Sequence, residues 1–257
     1  MGTLKHMLTT LFANLTPIHI RAAVQNALDE QIIATDFTKK AVVKGQGAKK
    51  SEEEKYINYA DFVRLLRLSS EKIDSFYSTR LMIYLAGTTG MRFGELIGLK
   101  WSEVDFENEI INIKLEYNYV TKIFTEPKGY KIRKITINSK TAKILLDLKD
   151  NQINHELDNP DNLVFFNPTY GIVSNNAANS VLRRMQKNLE IYPTITMHGL
   201  RHTHGSVLLM KGINILAVSK RLGHASVDIT LGVYAHLLKE LEDRENDKIK
   251  SELDKII

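Results

Sequence analysis

The sequence predicts a mainly α-helical chain with a small antiparallel β-sheet near its middle, which is an α+β fold. Apolar residues recur at helical spacing over most of the 257 residues. Residues 101–137 differ, because β-branched and aromatic residues dominate there and favour strands. Hydrophobic residues make up 43% of the chain and charged residues 25%, proportions typical of a globular protein with a packed core.

The first predicted helix begins at Pro17, a residue that suits a first helical turn, and runs to about Thr35. Residues 38–55 follow as a polar stretch with two glycines, several lysines and three consecutive glutamates, a composition typical of a linker. Three regions are therefore expected, a helical domain at residues 1–40, a basic linker at residues 41–55 and a second domain at residues 56–257.

Helical periodicity predicts eight helices in the second domain. They span residues 59–68, 75–88, 93–99, 139–155, 174–190, 198–210, 214–222 and 226–234. The strands of residues 101–137 interrupt this series, and the turn between two of them is expected to carry Lys128 and Gly129. A charged tail with scattered apolar residues follows Tyr234.

Composition excludes several classes of protein. The chain has no cysteine, which rules out disulfides, thiolate zinc sites and a cysteine nucleophile. No apolar run is long enough to span a bilayer and no signal peptide begins the chain, so we expect a cytoplasmic protein without a membrane partner. Lysine and arginine total 35 against 30 acidic residues, and this excess is compatible with a polyanionic partner.

Two basic segments lie in positions that suit phosphate chemistry. Arg92 stands between Gly90 and Gly94 at a predicted helix start, where a guanidinium and the first helical amides can approach an anion. Lys128 lies at the tip of a predicted hairpin, where a lysine can enter a DNA groove and deliver a proton. Taken alone, each residue is more typical of an ordinary surface arginine or an ordinary basic hairpin.

A histidine and an arginine share a helix face in the last third of the chain. His198 and Arg201 are three residues apart. A guanidinium binds phosphate oxygens through two parallel hydrogen bonds, and an imidazole exchanges protons near neutral pH. A metal site is the alternative, because five histidines crowd this region, His198, His202, His204, His224 and His236. The HExxH pattern and an accompanying carboxylate are both missing, so no metal ligands are predicted.

The order and spacing of the segments carry more information than any one of them. The chain shows TTGMRFGEL, KGYKIR, HGLRH and LGHAS in that order, followed by Tyr234. His198 and Arg201 are 3 residues apart, Arg201 and His224 are 23 apart, and His224 and Tyr234 are 10 apart. In these features the chain resembles the tyrosine recombinase, or phage integrase, family over about residues 56–240.

The resemblance implies a catalytic domain preceded by a partial helical domain that binds the core DNA site. It implies a site-specific recombinase that integrates or excises a mobile element through a 3′-phosphotyrosyl intermediate. Glu95 matches an acidic position that supports an arginine. The active residues that it implies are Arg92, Lys128, His198, Arg201, His224 and Tyr234.

The same resemblance implies double-stranded DNA with specific recombination sites as the partner, and a homotetramer on DNA formed through the tail, residues 236–257. No cofactor is expected, because a phosphotyrosyl link conserves bond energy and no P-loop is present. A type IB topoisomerase-like enzyme and a non-catalytic helical DNA-binding regulator remain alternatives. The linker lysines expected to contact DNA are Lys39, Lys40, Lys44, Lys49 and Lys50.

Overall fold

The structure, a computed structural model, describes residues 55–126 and 132–256. It describes only the backbone of residues 236, 239–245, 247 and 248. Earlier in the chain, the described residues are 20, 23–25, 27, 28, 30, 32, 33, 35, 36 and 38. The chain divides into two compact units, residues 1–49 and residues 50–257.

In the first unit, residues 20, 23–25, 27 and 28 are helical, which agrees with the helix predicted over this region. A turn follows, in which the amide of Ile32 donates to the carbonyl of Ala27 at 2.8 Å. The helix predicted to run to about Thr35 therefore ends earlier, since residues 30, 32, 33 and 35 are not helical. The predicted start of this helix, residues 17–19, and residues 41–54 of the predicted linker lie outside the described residues. The proposed domain boundaries stay predictions.

Eight described helices and seven short strands build the second unit. The helices are α1 (Tyr59–Ser70), α2 (Ser78–Thr89), α3 (Phe93–Ile97), α4 (Ser139–Asn154), α5 (Asn175–Asn188), α6 (Met197–Met210), α7 (Ile215–Leu222) and α8 (Val227–Leu253). The strands are β1 (Val104–Asp105), β2 (Ile110–Ile113), β3 (Glu116–Asn118), β4 (Ile123–Thr125), β5 (Arg133–Thr136), β6 (Phe166–Asn167) and β7 (Gly171–Ile172). The chain is therefore mainly helical with small antiparallel sheets, as predicted.

Polar caps set several of the helix ends. Asn58 accepts a hydrogen bond from the third residue of α1, and Thr196 does the same for α6. The helix predicted from Ser75 begins instead as a 3₁₀ turn, and α2 starts at Ser78. The helix predicted to end at Tyr234 continues to Leu253, with non-helical backbone angles at Tyr234 itself.

The strands form three sheets rather than the single sheet predicted. One has the order β1-β2-β5, and β3 pairs with β4 and β6 with β7, all antiparallel. The pair β6-β7 was not predicted, because strands of two residues carry no alternation of apolar and polar residues. Among the described residues, β4 and β5 pair with other strands and not with each other. Lys128 falls in sequence between β4 and β5 but lies outside the described residues, so its place in a turn between two strands stays a prediction.

Two apolar clusters fill the second unit. The larger one packs α1 to α6 around α2, a helix that is buried on nearly all sides. The smaller one consists of Leu209, Val218, Leu222, Tyr234 and Leu237 and joins α6, α7 and α8. Since α6 contributes to both clusters, its polar residues are held rigidly between them. Within the described part of the chain, no helix is both long and apolar enough to cross a membrane.

Candidate active site

The first arginine of the site lies at a tight turn between α2 and α3. Gly90 ends α2 with a left-handed backbone (φ 70°), and a Cβ there would lie 2.8 Å from the ring of His204, so both conformation and space favour glycine. Arg92 follows as the N-cap of α3, and its amide donates to Glu95 at 2.8 Å. Its guanidinium donates to the same carboxylate at 3.0 Å, and the side chain remains 22% exposed. The carboxylate of Glu95 thus fixes both the backbone and the guanidinium of Arg92.

Glu95 is almost fully buried and holds two arginines. Besides Arg92, it receives both terminal nitrogens of Arg133, at 2.7 and 2.8 Å. Burial raises the pKa of Glu95, but the hydrogen bonds and charges of Arg133 and Arg92 outweigh burial and leave the pKa below its usual value. Glu95 is therefore an anion at neutral pH.

One face of α6 carries the next group of side chains. His198, Arg201, His202 and Gly205 are spaced three, four and seven residues from the first, so they lie along one side of the helix. Arg201 is 3% exposed and donates to the carbonyl of Gly90 at 2.7 Å. Burial, followed by the charge of nearby Arg92, lowers the pKa of Arg201 to about 9, so it stays protonated at neutral pH.

Three arginines donate hydrogen bonds to the backbone of residues 221–223, where α7 ends and the turn to α8 begins. Arg133 donates to the carbonyl of Arg221 at 3.0 Å. Arg201 donates to the carbonyl of Leu222 at 2.6 Å, and Arg92 donates to that of Gly223 at 3.1 Å. His224 comes directly after these carbonyls. The turn is thereby tied to the same guanidiniums that carry the positive charge of the site.

Two histidines of the site are held neutral. Burial, then the charges of Arg201 and Arg92, lowers the pKa of His198 below its usual value and that of His224 to about 4. The ring Nδ1 of His224 lies 2.7 Å from the hydroxyl of buried Thr230, which orients the imidazole. Neutral imidazoles next to arginines can accept a proton, which imidazolium groups cannot.

Tyr234 lies at the interruption of α8, with φ −111° and ψ 17°. Its side chain is 2% exposed, and its hydroxyl donates to the carbonyl of His202 at 3.4 Å. The phenol packs against Gly205, where an added Cβ would overlap the hydroxyl and lie 2.5 Å from Cζ. Burial raises the pKa of Tyr234 to about 12, although the charge of Arg201 acts in the opposite direction.

The structure therefore brings six of the predicted residues together, Arg92, Glu95, His198, Arg201, His224 and Tyr234. Lys128 and the linker lysines Lys39, Lys40, Lys44, Lys49 and Lys50 lie outside the described residues. A site that combines protonated guanidiniums, neutral imidazoles and a phenol can bind a phosphodiester and transfer its phosphoryl group to oxygen.

Comparison with known proteins agrees with this chemistry. The sequence profile described as the Phage integrase family matches residues 55–240, which is well over half of the chain. The chain belongs to the phage integrase family. One relative is the integrase of Staphylococcus phage L54a, which is 32% identical to this phage integrase family chain over 225 residues. The matched region covers 80% of this chain and 62% of the relative. The transposase from transposon Tn916 of Enterococcus faecalis is 27% identical and covers 78% of this chain and 51% of its own length.

Solved structures show the same fold. The Tn1549 transposon integrase in complex with transposon right-end DNA superimposes with a TM-score of 0.68 at 21% identity, over 95% of this phage integrase family chain and 82% of that one. The XerH site-specific recombinase bound to palindromic difH substrate, a post-cleavage complex, has a TM-score of 0.63 at 20% identity and covers 95% and 71% of the two chains. The present chain spans about half to two thirds of the length of the curated relatives named above.

Among the described residues of this phage integrase family chain, no three potential metal ligands lie together. His204, one of the five histidines of this region, has a structural role. Its Nδ1 donates to the carbonyl of Gly87 at 2.8 Å and its Nε2 accepts from Arg221 at 2.9 Å, which fixes the neutral tautomer. Burial, then the charge of Arg221, lowers the pKa of His204 to about 3.

Sequence reasoning missed two residues that border the site. Arg133 is the last residue of KGYKIR, and the isoleucine-rich segment around it gives no sign that it turns inward to Glu95. For His202 the sequence suggested only the alternative of a metal ligand. Its ring lies edge-on to His198, with centroids 4.6 Å apart, and 6.4 Å from the ring of Tyr234. Its spacing of four from His198 in HGLRH was the one available signal for a shared face.

Proposed function

We propose that this chain cleaves and rejoins DNA through a covalent bond between Tyr234 and the 3′ phosphate of the cut strand. The observation that carries the proposal is convergence. Two arginines, two neutral histidines and a phenol reach one site from segments that are up to 142 residues apart, counting from Arg92 to Tyr234. Membership of the phage integrase family and the fold shared with an integrase solved in complex with DNA support the same reaction.

The two arginines stabilise charge on the scissile phosphate. Attack on a phosphodiester builds negative charge on the two nonbridging oxygens. The side chain of Arg92 is 22% exposed, and its charge lies close enough to Arg201 to lower the pKa of Arg201. The negative phosphate oxygens offset the repulsion between the guanidiniums of Arg92 and Arg201, and they do so most strongly in the transition state.

The nucleophile needs a base, because the pKa of Tyr234 is raised to about 12. His198 is neutral and accepts the phenolic proton as the Tyr234 oxygen bonds to phosphorus. The bond from phosphorus to the 5′ oxygen breaks, and Lys128 gives that oxygen a proton. His224 hydrogen-bonds the phosphate. The product is a 3′-phosphotyrosyl link and a free 5′-hydroxyl, and attack by another 5′-hydroxyl reverses the step without ATP.

The phenol must move before it reacts. Tyr234 is 2% exposed and its hydroxyl points at a main-chain carbonyl, so a DNA phosphate cannot reach it in this conformation. The backbone of α8 is already non-helical at this residue. We propose that this interruption is the hinge about which the tyrosine swings to the phosphate.

The partner we propose is duplex DNA with specific recombination sites, met in the cytoplasm, with integration or excision of a mobile element as the outcome. The helical region 1–40 and the basic linker 41–55, with its lysines, contact the duplex backbone, so affinity falls as salt rises. The tail, residues 236–257, joins a homotetramer. Ile249 and Leu253 are exposed on α8 and Ile256 in the turn after it, and a neighbouring protomer would bury these apolar side chains.

The test is a covalent adduct. The protein is mixed with nicked duplexes taken from the DNA that flanks its coding sequence and is denatured in SDS. We expect an SDS-resistant protein–DNA band that survives excess chelator. Tyr234→Phe loses the band and keeps DNA binding, whereas Tyr170→Phe, at a tyrosine that is 57% exposed, keeps both. A band that persists in Tyr234→Phe contradicts the assignment of the nucleophile.

The same preparation separates the two alternatives. A topoisomerase-like enzyme relaxes supercoiled plasmids whether or not they carry a recombination site, whereas a recombinase acts where two sites are present. A DNA-binding regulator forms no adduct under any condition. Absence of the adduct on every flanking duplex, with tight DNA binding, favours the regulator.

A further inference from the structure

Arg133 lies beneath the site and uses its guanidinium entirely on protein acceptors. It is 9% exposed, at the first position of β5. Both terminal nitrogens bind the carboxylate of Glu95, and Nε donates to the carbonyl of Arg221 at 3.0 Å. A guanidinium is the one side chain that forks onto a carboxylate and still has a donor left for a third group.

Glu95 would otherwise draw Arg92 away from the phosphate. In the structure, Arg133 takes both carboxylate oxygens in a fork, whereas Arg92 contributes only one guanidinium nitrogen and its amide. A buried carboxylate without Arg133 would have Arg92 as its nearest cation, and the fork geometry that arginine prefers would turn the Arg92 tip inward. Arg133 therefore leaves the second terminal nitrogen of Arg92 to donate to the carbonyl of Gly223, at 3.1 Å.

Arg133 also braces the turn that carries His224. Gly223 has a left-handed backbone (φ 66°), and its Cα faces the guanidinium so closely that a Cβ would lie 2.9 Å from Cζ of Arg133. The hydrogen bond to the carbonyl of Arg221 lies on the same side of the turn. Glycine at this position lets the guanidinium lie flat against the backbone just before the histidine.

We propose that Arg133 is a positioning residue for DNA cleavage, which neutralises Glu95 and braces the 221–223 turn so that Arg92 and His224 face the scissile phosphate. The inference rests on the proposed function. It assigns Arg133 no contact with DNA. With Glu95 neutralised by Arg133, the charges of Arg92 and Arg201 remain for the phosphate.

The test compares Arg133→Lys with wild type in single-turnover cleavage of a nicked duplex. Lysine keeps the charge and loses the fork. Cleavage should slow about 100-fold, as expected when catalytic groups shift by about 1 Å. The Kd for DNA should change less than about threefold, since a buried residue makes no phosphate contact.

A second substrate separates positioning from general damage. A methylphosphonate at the scissile position replaces one nonbridging oxygen by methyl and removes the negative charge that the arginines stabilise. On this substrate, Arg133→Lys should lose less than about tenfold relative to wild type, because charge stabilisation no longer limits the reaction. Arg221→Lys is the matched control. Arg221 is a partly buried arginine that binds two carbonyls and His204 but not Glu95, so any loss there should be equal on both substrates.

A third protein covers the case in which single variants unfold. The double variant Arg133→Met with Glu95→Gln removes the buried carboxylate together with its partner, so it should fold better than Arg133→Met alone. We expect it to bind DNA and still cleave slowly. Equal losses for Arg133→Lys on both substrates, or wild-type cleavage by Arg133→Lys, would each overturn the inference while leaving the proposed function standing. A wild-type protein that forms no adduct overturns both.

Discussion

The contact between Gly205 and Tyr234 makes a testable claim about where the phenol rests. Gly205→Ala places a methyl group 2.5 Å from Cζ of Tyr234 and onto its hydroxyl, which no small adjustment relieves. The aromatic ring must leave the small cluster formed with Leu209, Val218, Leu222 and Leu237.

The size of the effect follows from two opposing contributions. Losing the burial of a large side chain costs about 3 kcal/mol. Alanine in place of glycine inside a helix returns about 1 kcal/mol. We therefore expect Gly205→Ala to lower the free energy of unfolding by about 2 kcal/mol, the difference of these contributions.

Urea denaturation followed by circular dichroism measures this change, and Gly232→Ala is the matched control. Gly232 also lies in a helix, but an added Cβ meets no atom within 4 Å, so this variant should be more stable than wild type. The loss should disappear in a Tyr234→Ala background, because the two residues then no longer collide. If Gly205→Ala stabilises the protein as much as Gly232→Ala does, Tyr234 does not rest against α6.

Three further predictions concern charge and hydrogen bonding. The folded-state pKa of His204 is depressed to about 3, so the unfolded chain binds more protons below pH 6.5 and stability is lost as pH falls from there. This histidine should account for about 2 kcal/mol of the decrease in the free energy of unfolding between pH 7 and pH 5. In urea titrations at both pH values, His204→Gln should make that decrease smaller by the same amount. An unchanged decrease would show that His204 is not buried in its neutral form. Arg201→Ala should slow single-turnover cleavage about 1,000-fold through loss of transition-state charge stabilisation, and near-normal cleavage would remove it from the site. Thr230→Val, which removes the hydroxyl 2.7 Å from His224, should slow cleavage about tenfold, the worth of one buried hydrogen bond; an equal rate would mean that Thr230 does not orient the imidazole.

The sequence predicts the helices well because caps and apolar periodicity are local. Asn58 and Thr196 cap the N-termini of their helices by accepting hydrogen bonds from amides three residues later, and such capping residues can be recognised in the sequence. The number of sheets was not predictable. Strands of two residues, such as β6 and β7, pair across a connection of three residues and are too short to show an alternation of apolar and polar residues.

For the site, order and spacing identified the residues but not their environment. His198 and Arg201 share a face because of helical geometry alone, which sequence reveals. The inward turn of Arg133 to Glu95 joins strand to helix across 38 residues, and no local pattern encodes it. The burial of Tyr234 depends on the missing side chain of Gly205 in a different helix, a relation that only packing shows.

The most direct measurement identifies the amino acid that carries the DNA. The SDS-resistant adduct is digested with nuclease and trypsin, and the modified peptide is sequenced by mass spectrometry. The account predicts a nucleotide joined through its 3′ phosphate to the oxygen of Tyr234, in the tryptic peptide of residues 222–239. A nucleotide attached to any other residue, or no attached nucleotide in a preparation that binds and cuts DNA, would contradict it.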